Sequence, residues 1–211
     1  MTKIKAVIFD MDGVLIDARE WHYEALNRAL GLFGMQMSRY DHVVTYDGLP
    51  TSVKLSMLSR ERGLPEKLHP LLNDLKQQYT MELVHSRCKP TFQHQYALAR
   101  LRREGYRLAL CSNSIARTVE TMMDRADLRG YLEFHLSNQD VTRAKPDPEM
   151  YQVAISRLAI APGEALVVED NENGIKSALS AGAHVLSVAG VEDVTYSAVI
   201  GKIRELEGQH A

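Results

Sequence analysis

The sequence predicts an α/β protein: a doubly wound parallel sheet into which a helical domain is inserted after the first strand. Three observations predict it. Short apolar runs rich in β-branched residues recur along the chain and end in turn residues. From about residue 88 onward, segments with helical spacing separate these runs. The interval from Asp17 to Arg87 holds helical patterns and no convincing strand. Strands buried on both faces read as unbroken apolar runs, and alternating strand and helix signals imply crossovers within one parallel sheet.

In chain order, the first strand is Ile4–Phe9, closed by Asp10-Met11-Asp12-Gly13. Helical spacing follows over Trp21–Phe33, Ser38–Thr45, Thr51–Arg62 and Pro65–Val84, punctuated by Gly34, Gly48-Leu49-Pro50 and Gly63-Leu64-Pro65. A crossover between parallel strands needs only about 10–12 residues, and this stretch is several times longer. Residues 17–87 are therefore expected to form an inserted helical cap over the C-terminal edge of the sheet, where open α/β sheets bind ligands. Gly13–Asp17 and Val84–Lys89 are its expected linkers. The core, residues 1–16 and 88–211, continues with a helix over Phe92–Glu104 that Gly105 stops. Further strands follow at Arg107–Cys111, Phe134–Leu136, Ala165–Val168 and Ala183–Val188. Ile115–Ala126, Pro148–Leu158 and Asn173–Ala181 are the helices between and after them, Pro148 being a favourable helix opener. A last helix over Asp193–Leu206 leaves Glu207–Ala211 as a frayed tail.

Composition narrows the function. Of 211 residues, 45% are hydrophobic and 25% charged, which excludes disordered and low-complexity classes. A net charge of −2 leaves no basic surplus, so neither nucleic acid nor an anionic membrane is an expected partner. No stretch approaches the ~17 apolar residues of a short spanning helix. The run Ala6–Phe9 meets Asp10 too soon for a secretory h-region of ~7–15 residues. Cys88 and Cys111 have no metal or redox spacing. These features predict a cytoplasmic enzyme, a monomer or homodimer, acting on a small molecule.

Four strand-end loops carry the chemistry. They are Asp10-Met11-Asp12-Gly13, Ser112-Asn113-Ser114, Lys145-Pro146-Asp147-Pro148 and Glu169-Asp170. In a doubly wound sheet they converge on one edge although they are far apart in sequence. Asp10, Asp12, Glu169 and Asp170 cannot all stay ionised together without compensation, because neighbouring carboxylates raise one another's pKa. A divalent cation, Lys145 and one proton bring the charge to zero. Oxygen-only ligands select Mg²⁺ over zinc. Such a neutralised site admits a phosphate dianion. Asp10, directly at the strand end, is placed to attack phosphorus, and Asp12, two residues on, suits general acid/base work. Lys145, the Ser112 hydroxyl and backbone N–H groups are the candidate anchors for the transferring oxygens.

These residues resemble the haloacid dehalogenase superfamily, in motif and in order: Asp10-Met11-Asp12-Gly13-Val14, Ser112-Asn113, Lys145-Pro146 and Glu169-Asp170. The resemblance implies a Rossmann-like core with a helical cap. It makes Asp10 nucleophile and Mg²⁺ ligand, and Asp12 the acid/base that also binds the metal through its carbonyl. Asp170 with Glu169 completes the metal site, while Ser112, Asn113 and Lys145 grip phosphate. Carbon–halogen and phosphonate-cleaving relatives lack the second aspartate, so Asp12 points to phosphate esters. Within the superfamily, Asp17-Ala18-Arg19-Glu20-Trp21-His22 resembles the cap entrance of β-phosphoglucomutases and sugar-phosphate phosphatases. Ala18 stands where Thr or Ser is usual. Thr51 stands where the mutases carry the arginine for a second phosphate, a charge-assisted contact worth ~1.5–3 kcal/mol.

The expectation is therefore a Mg²⁺-dependent phosphatase for a sugar or polyol monophosphate. A β-phosphoglucomutase-type isomerase is the alternative, and a non-catalytic phosphate-sensing regulator a more distant one. His22 either packs between Trp21 and Tyr23 or orients Asp12 or the leaving group at the substrate site. The other histidines, His210 included, show no metal spacing. Cys111, in an apolar strand, reads as core.

Overall fold

The computed structural model describes residues 3–46 and 48–208. It consists of two compact units, Met1–Asp17 with Lys89–Ala211, and Ala18–Cys88.

The first unit is built on five parallel strands: β1 (Ala6–Phe9), β2 (Arg107–Cys111), β3 (Phe134–Leu136), β4 (Ala165–Glu169) and β5 (His184–Ser187). Their order is β3-β2-β1-β4-β5. Successive crossovers thus run one way from β1 through β2 to β3 and then the other way through β4 to β5. The switch point falls between β1 and β4, which are in register from Ala6 opposite Ala165 to Phe9 opposite Val168. Both strands are buried along their whole length, which explains their unbroken apolar sequences. Helical segments follow the strands at positions close to the sequence expectation: Phe92–Arg103, Ala116–Arg125, Glu149–Arg157, Glu172–Ser180 and Tyr196–Leu206. Tyr151, Ala154 and Ala178 from these helices pack with Ile8, Ala109, Cys111 and Val167 of the sheet.

Two differences at the ends of this unit have plain causes. β1 starts at Ala6, not at Ile4, because the Ile4 N–H donates 2.9 Å to the Glu207 Oε1 instead of joining a neighbouring strand. The same bond ties down Glu207, which the sequence assigned to a frayed tail. His210, in the remainder of that tail, lies outside the described residues.

The second unit contains α1 (Arg19–Gly31), α2 (Arg39–Asp41), α3 (Thr51–Arg62) and α4 (His69–Arg87). In consequence the helices of the first unit are α5 (Phe92–Arg103), α6 (Ala116–Arg125), α7 (Glu149–Arg157), α8 (Glu172–Ser180) and α9 (Tyr196–Leu206). Leu26, Leu30, Leu55, Leu58 and Leu72 form the core of the helical unit. The helix expected over Ser38–Thr45 is α-helical for three residues only and continues as a π-helix, His42–Tyr46. That wider turn keeps His42 and Tyr46 inward while Val43 and Val44 stay exposed. The helix expected from Pro65 starts as a 3₁₀ turn, Glu66–Leu68, and becomes α-helical at His69. Pro70 sets that start, because a proline without an N–H fits the first turn and no later one. α4 runs on to Arg87, so most of the linker expected at Val84–Lys89 is helical. Among the described residues, no helix is long and apolar enough to cross a membrane.

Candidate active site

The site grows out of the ends of β1, β2 and β4 and the loop before α7. Asp10 directly follows β1, and its N–H still donates to Val168 of β4 at 3.0 Å. The chain then folds into a tight turn in which the N–H groups of Val14, Leu15 and Ile16 all converge on the Met11 carbonyl. Met11, Val14 and Leu15 are buried, so the turn is anchored by its apolar residues. Gly13 takes a φ of +87° there, a left-handed conformation that costs glycine nothing. A β-carbon on it would also lie 1.9 Å from the Asp170 Oδ2.

Lys145 is the centre of the cluster. Its Nζ donates 2.6 Å to Asp10 Oδ1, 2.8 Å to Glu169 Oε1 and 2.8 Å to the Cys111 carbonyl. All three N–H donors of the ammonium are thereby used. Asp10, Lys145 and Glu169 are 8%, 4% and 1% exposed, so these ion pairs are little screened by water. Burial works against the Lys145 charge, but Asp10 and Glu169 outweigh it and raise its pKa. Burial pushes the Asp10 carboxyl well above the usual carboxylate range; Lys145 opposes this, and Glu169, Asp12 and Asp170 add to it.

That balance bears on a metal. Asp10, Glu169 and Asp170 each present a carboxylate oxygen within 4.8 Å of the others. One lysine leaves the Asp10 carboxyl still driven toward protonation, and a divalent cation would supply the missing positive charge. The all-oxygen donor set suits a hard ion such as Mg²⁺. The donor chemistry and the cradle opened by Gly13 both fit the group.

The other expected residues fall as follows. The Asp12 Oδ2 accepts a hydrogen bond from the Ser114 hydroxyl at 3.1 Å. Ser112 is buried, and its Oγ accepts from the Ser114 N–H at 3.1 Å. The Asn113 amide lies along the backbone of Lys145, donating from Nδ2 to its carbonyl and accepting at Oδ1 from its N–H, both at 3.1 Å. Asn113 thus braces the lysine loop through the main chain. Asp10, Glu169, Asp170 and Lys145 are brought together. His22 belongs to the helical unit, where its Nδ1 lies 3.2 Å from the buried Lys76 Nζ.

Sequence reasoning gave Ser114 no role of its own within its loop and passed over Tyr151 and Gly174. Tyr151 is fully buried, and its hydroxyl donates 2.6 Å to Glu169 Oε1. Gly174, in the first turn of α8, sits where a β-carbon would come within 1.8 Å of the same oxygen. Signals for both existed. A tyrosine on the apolar face of α7 needs a hydrogen-bond partner. A glycine inside a helix that starts just after Glu169-Asp170 implies a close approach. Cys111 is a core residue, as expected: burial pushes its thiol up to about 12.

Fold and site together define a phosphatase-like hydrolase with a Rossmann-like core. The family described as haloacid dehalogenase-like hydrolase matches residues 7–188. The chain belongs to that family. It is 30% identical over 184 residues to the phosphorylated carbohydrates phosphatase of Thermotoga maritima, covering 85% of this chain and 82% of that one. It is also 30% identical over 190 residues to the phosphoglycolate phosphatase of Nitrosospira multiformis, covering 88% and 83% of the two chains. In fold it is similar to the crystal structure of β-phosphoglucomutase from Clostridium difficile, with a TM-score of 0.83, 18% identity and coverage of 97% and 99%.

Proposed function

We propose that this protein is a Mg²⁺-dependent phosphatase that hydrolyses a small phosphorylated metabolite, a sugar or polyol monophosphate, through an aspartyl-phosphate at Asp10. The observation that carries this reading is the buried Asp10 carboxylate at the β1–β4 switch point, 2.6 Å from Lys145 Nζ and grouped with Glu169 and Asp170. Relatives named as phosphatases of phosphorylated carbohydrates and of phosphoglycolate support a small phosphorylated metabolite, and the first of them supports a sugar phosphate.

The reaction divides among this chain's residues. An Asp10 oxygen attacks phosphorus while the ester P–O bond breaks, and Asp12 gives its proton to the leaving alkoxide. Water then attacks the aspartyl-phosphate, Asp12 takes the water's proton, and the Asp10–phosphorus bond breaks to release phosphate. The Ser114 hydroxyl on Asp12 Oδ2 fixes the direction of that carboxylate. The Ser112 hydroxyl is placed to hold a transferring oxygen, while Lys145, engaged by Asp10, Glu169 and the Cys111 carbonyl, supplies positive charge beside the nucleophile, with Asn113 setting its main chain. Mg²⁺, held by Asp10, Glu169, Asp170 and the Asp12 carbonyl, would neutralise the repulsion between nucleophile and phosphate.

A panel of metabolite phosphate esters assayed with Mg²⁺ tests the proposal. Release of inorganic phosphate from a sugar or polyol monophosphate is expected, and no release from any ester would sink it. The fold likeness to β-phosphoglucomutase gives a second reading a place in that panel. With glucose 1-phosphate as substrate, free phosphate identifies the hydrolase and glucose 6-phosphate the mutase.

A further inference from the structure

We propose that Tyr151 is a positioning residue for the cation site: its hydroxyl pins one oxygen of Glu169 so that the other is presented to the divalent ion. This rests on the reading of Asp10, Glu169 and Asp170 as metal ligands. The mechanism above gives Tyr151 no task, yet the residue is a fully buried phenol donating to a carboxylate at 2.6 Å. That is the short range of a charge-assisted O–H···O⁻ bond.

The two oxygens of Glu169 are unequally used. Oε1 accepts from Tyr151 at 2.6 Å and from Lys145 at 2.8 Å. Oε2 is approached by the Asn171 N–H at 3.5 Å, the long limit of a hydrogen bond. A carboxylate has capacity for about four such contacts, so Oε2 is the oxygen with capacity to spare. Two further contacts hold the arrangement. The Tyr151 ring face lies 4.7 Å from Lys145 Nζ, tying the phenol to the ammonium that also grips Asp10. Gly174, lacking a β-carbon, lets the first turn of α8 close against the carboxylate. Without the hydroxyl, Oε1 would keep its hydrogen bond from Lys145 and lose the one from Tyr151, loosening the terminal torsion of Glu169, which is intrinsically broad and soft. Partners that orient metal ligands typically account for about 10–100-fold in metal affinity.

The test is a calorimetric titration of MgCl₂ into the metal-stripped full-length protein and its Tyr151→Phe variant, which keeps the ring and loses the donor. Mg²⁺ affinity is expected to fall about tenfold or more, with a cooperative metal-free melt retained. Turnover of p-nitrophenyl phosphate by the variant should recover as Mg²⁺ is raised, which a general packing defect would not allow. Equal affinity in the two proteins overturns the inference and leaves the metal-site reading standing. An unfolded variant also overturns it, because the hydroxyl would then be a requirement of the core. A wild-type protein that takes up no Mg²⁺ refutes the underlying metal-site reading itself, a result distinct from either of these.

Discussion

Gly174 and Glu169 occupy complementary space: a β-carbon on the glycine would stand 1.8 Å from the glutamate's Oε1 and 2.0 Å from its Cδ. In an ordinary helix, replacing glycine by alanine stabilises by roughly 1 kcal/mol. Here the overlap reverses the sign. Gly174→Ala has to displace the carboxylate from Lys145 and Tyr151 or push α8 outward, and overpacking of this kind costs about 1–3 kcal/mol. Urea unfolding should show the loss, together with reduced hydrolysis. A variant more stable than wild type would show that the carboxylate moves aside freely.

Asp10→Asn should lower turnover by at least about 10³-fold, as removal of a nucleophile does. The amide is isosteric and can still accept from Lys145, so the fold and much of the phosphate binding should persist. Hydrolysis of p-nitrophenyl phosphate at a wild-type rate would count against nucleophilic attack by this residue.

Removal of divalent ions should silence hydrolysis, and Mg²⁺ should restore it. The reason is electrostatic. With Lys145 as the buried ammonium at Asp10, burial and three neighbouring acids still drive the Asp10 carboxyl toward protonation, and a protonated carboxyl is a poor nucleophile. The comparison is phosphate release in excess EDTA against release in millimolar MgCl₂. Unchanged activity in EDTA would contradict the charge balance.

His94 should make stability fall in mild acid. It is buried, with Nδ1 2.8 Å from the Thr91 hydroxyl and Nε2 2.9 Å from the Val191 carbonyl, an arrangement that suits the neutral ring. Burial lowers its pKa below the usual value of about 6.5. As pH falls through about 6.5 the unfolded chain therefore takes up a proton before the folded one does. This contribution to stability is complete above that pH and is lost below it. Urea midpoints at about pH 7.5 and about pH 5.5 should diverge more for wild type than for His94→Gln. Equal differences in the two proteins would disprove the assignment.

Much of the molecule was legible in the sequence because two periodicities are strong. The buried strands β1, β2 and β4 stand out as apolar runs, and β3 lies where it was expected. α3 has the expected bounds, Thr51–Arg62, because Pro50 and Gly63 flank it and Gly63 adopts a φ of +72°. The irregular helices were less legible. The π-helix at His42–Tyr46 depends on which side chains tertiary packing draws inward, and no local propensity announces it.

The acids, the lysine and the hydroxyl of the proposed site were evident from residue types and spacing, because two acids at i and i+2, joined by two more acids, a lysine and a hydroxyl at other strand ends, form a combination that turns alone do not require. How they engage one another was decided by folding. Lys145 bridges Asp10 and Glu169, Asn113 braces a backbone, and Tyr151 and Gly174 shape one carboxylate. Those relationships join residues distant along the chain through angstrom-scale distances, and linear spacing encodes no such distance.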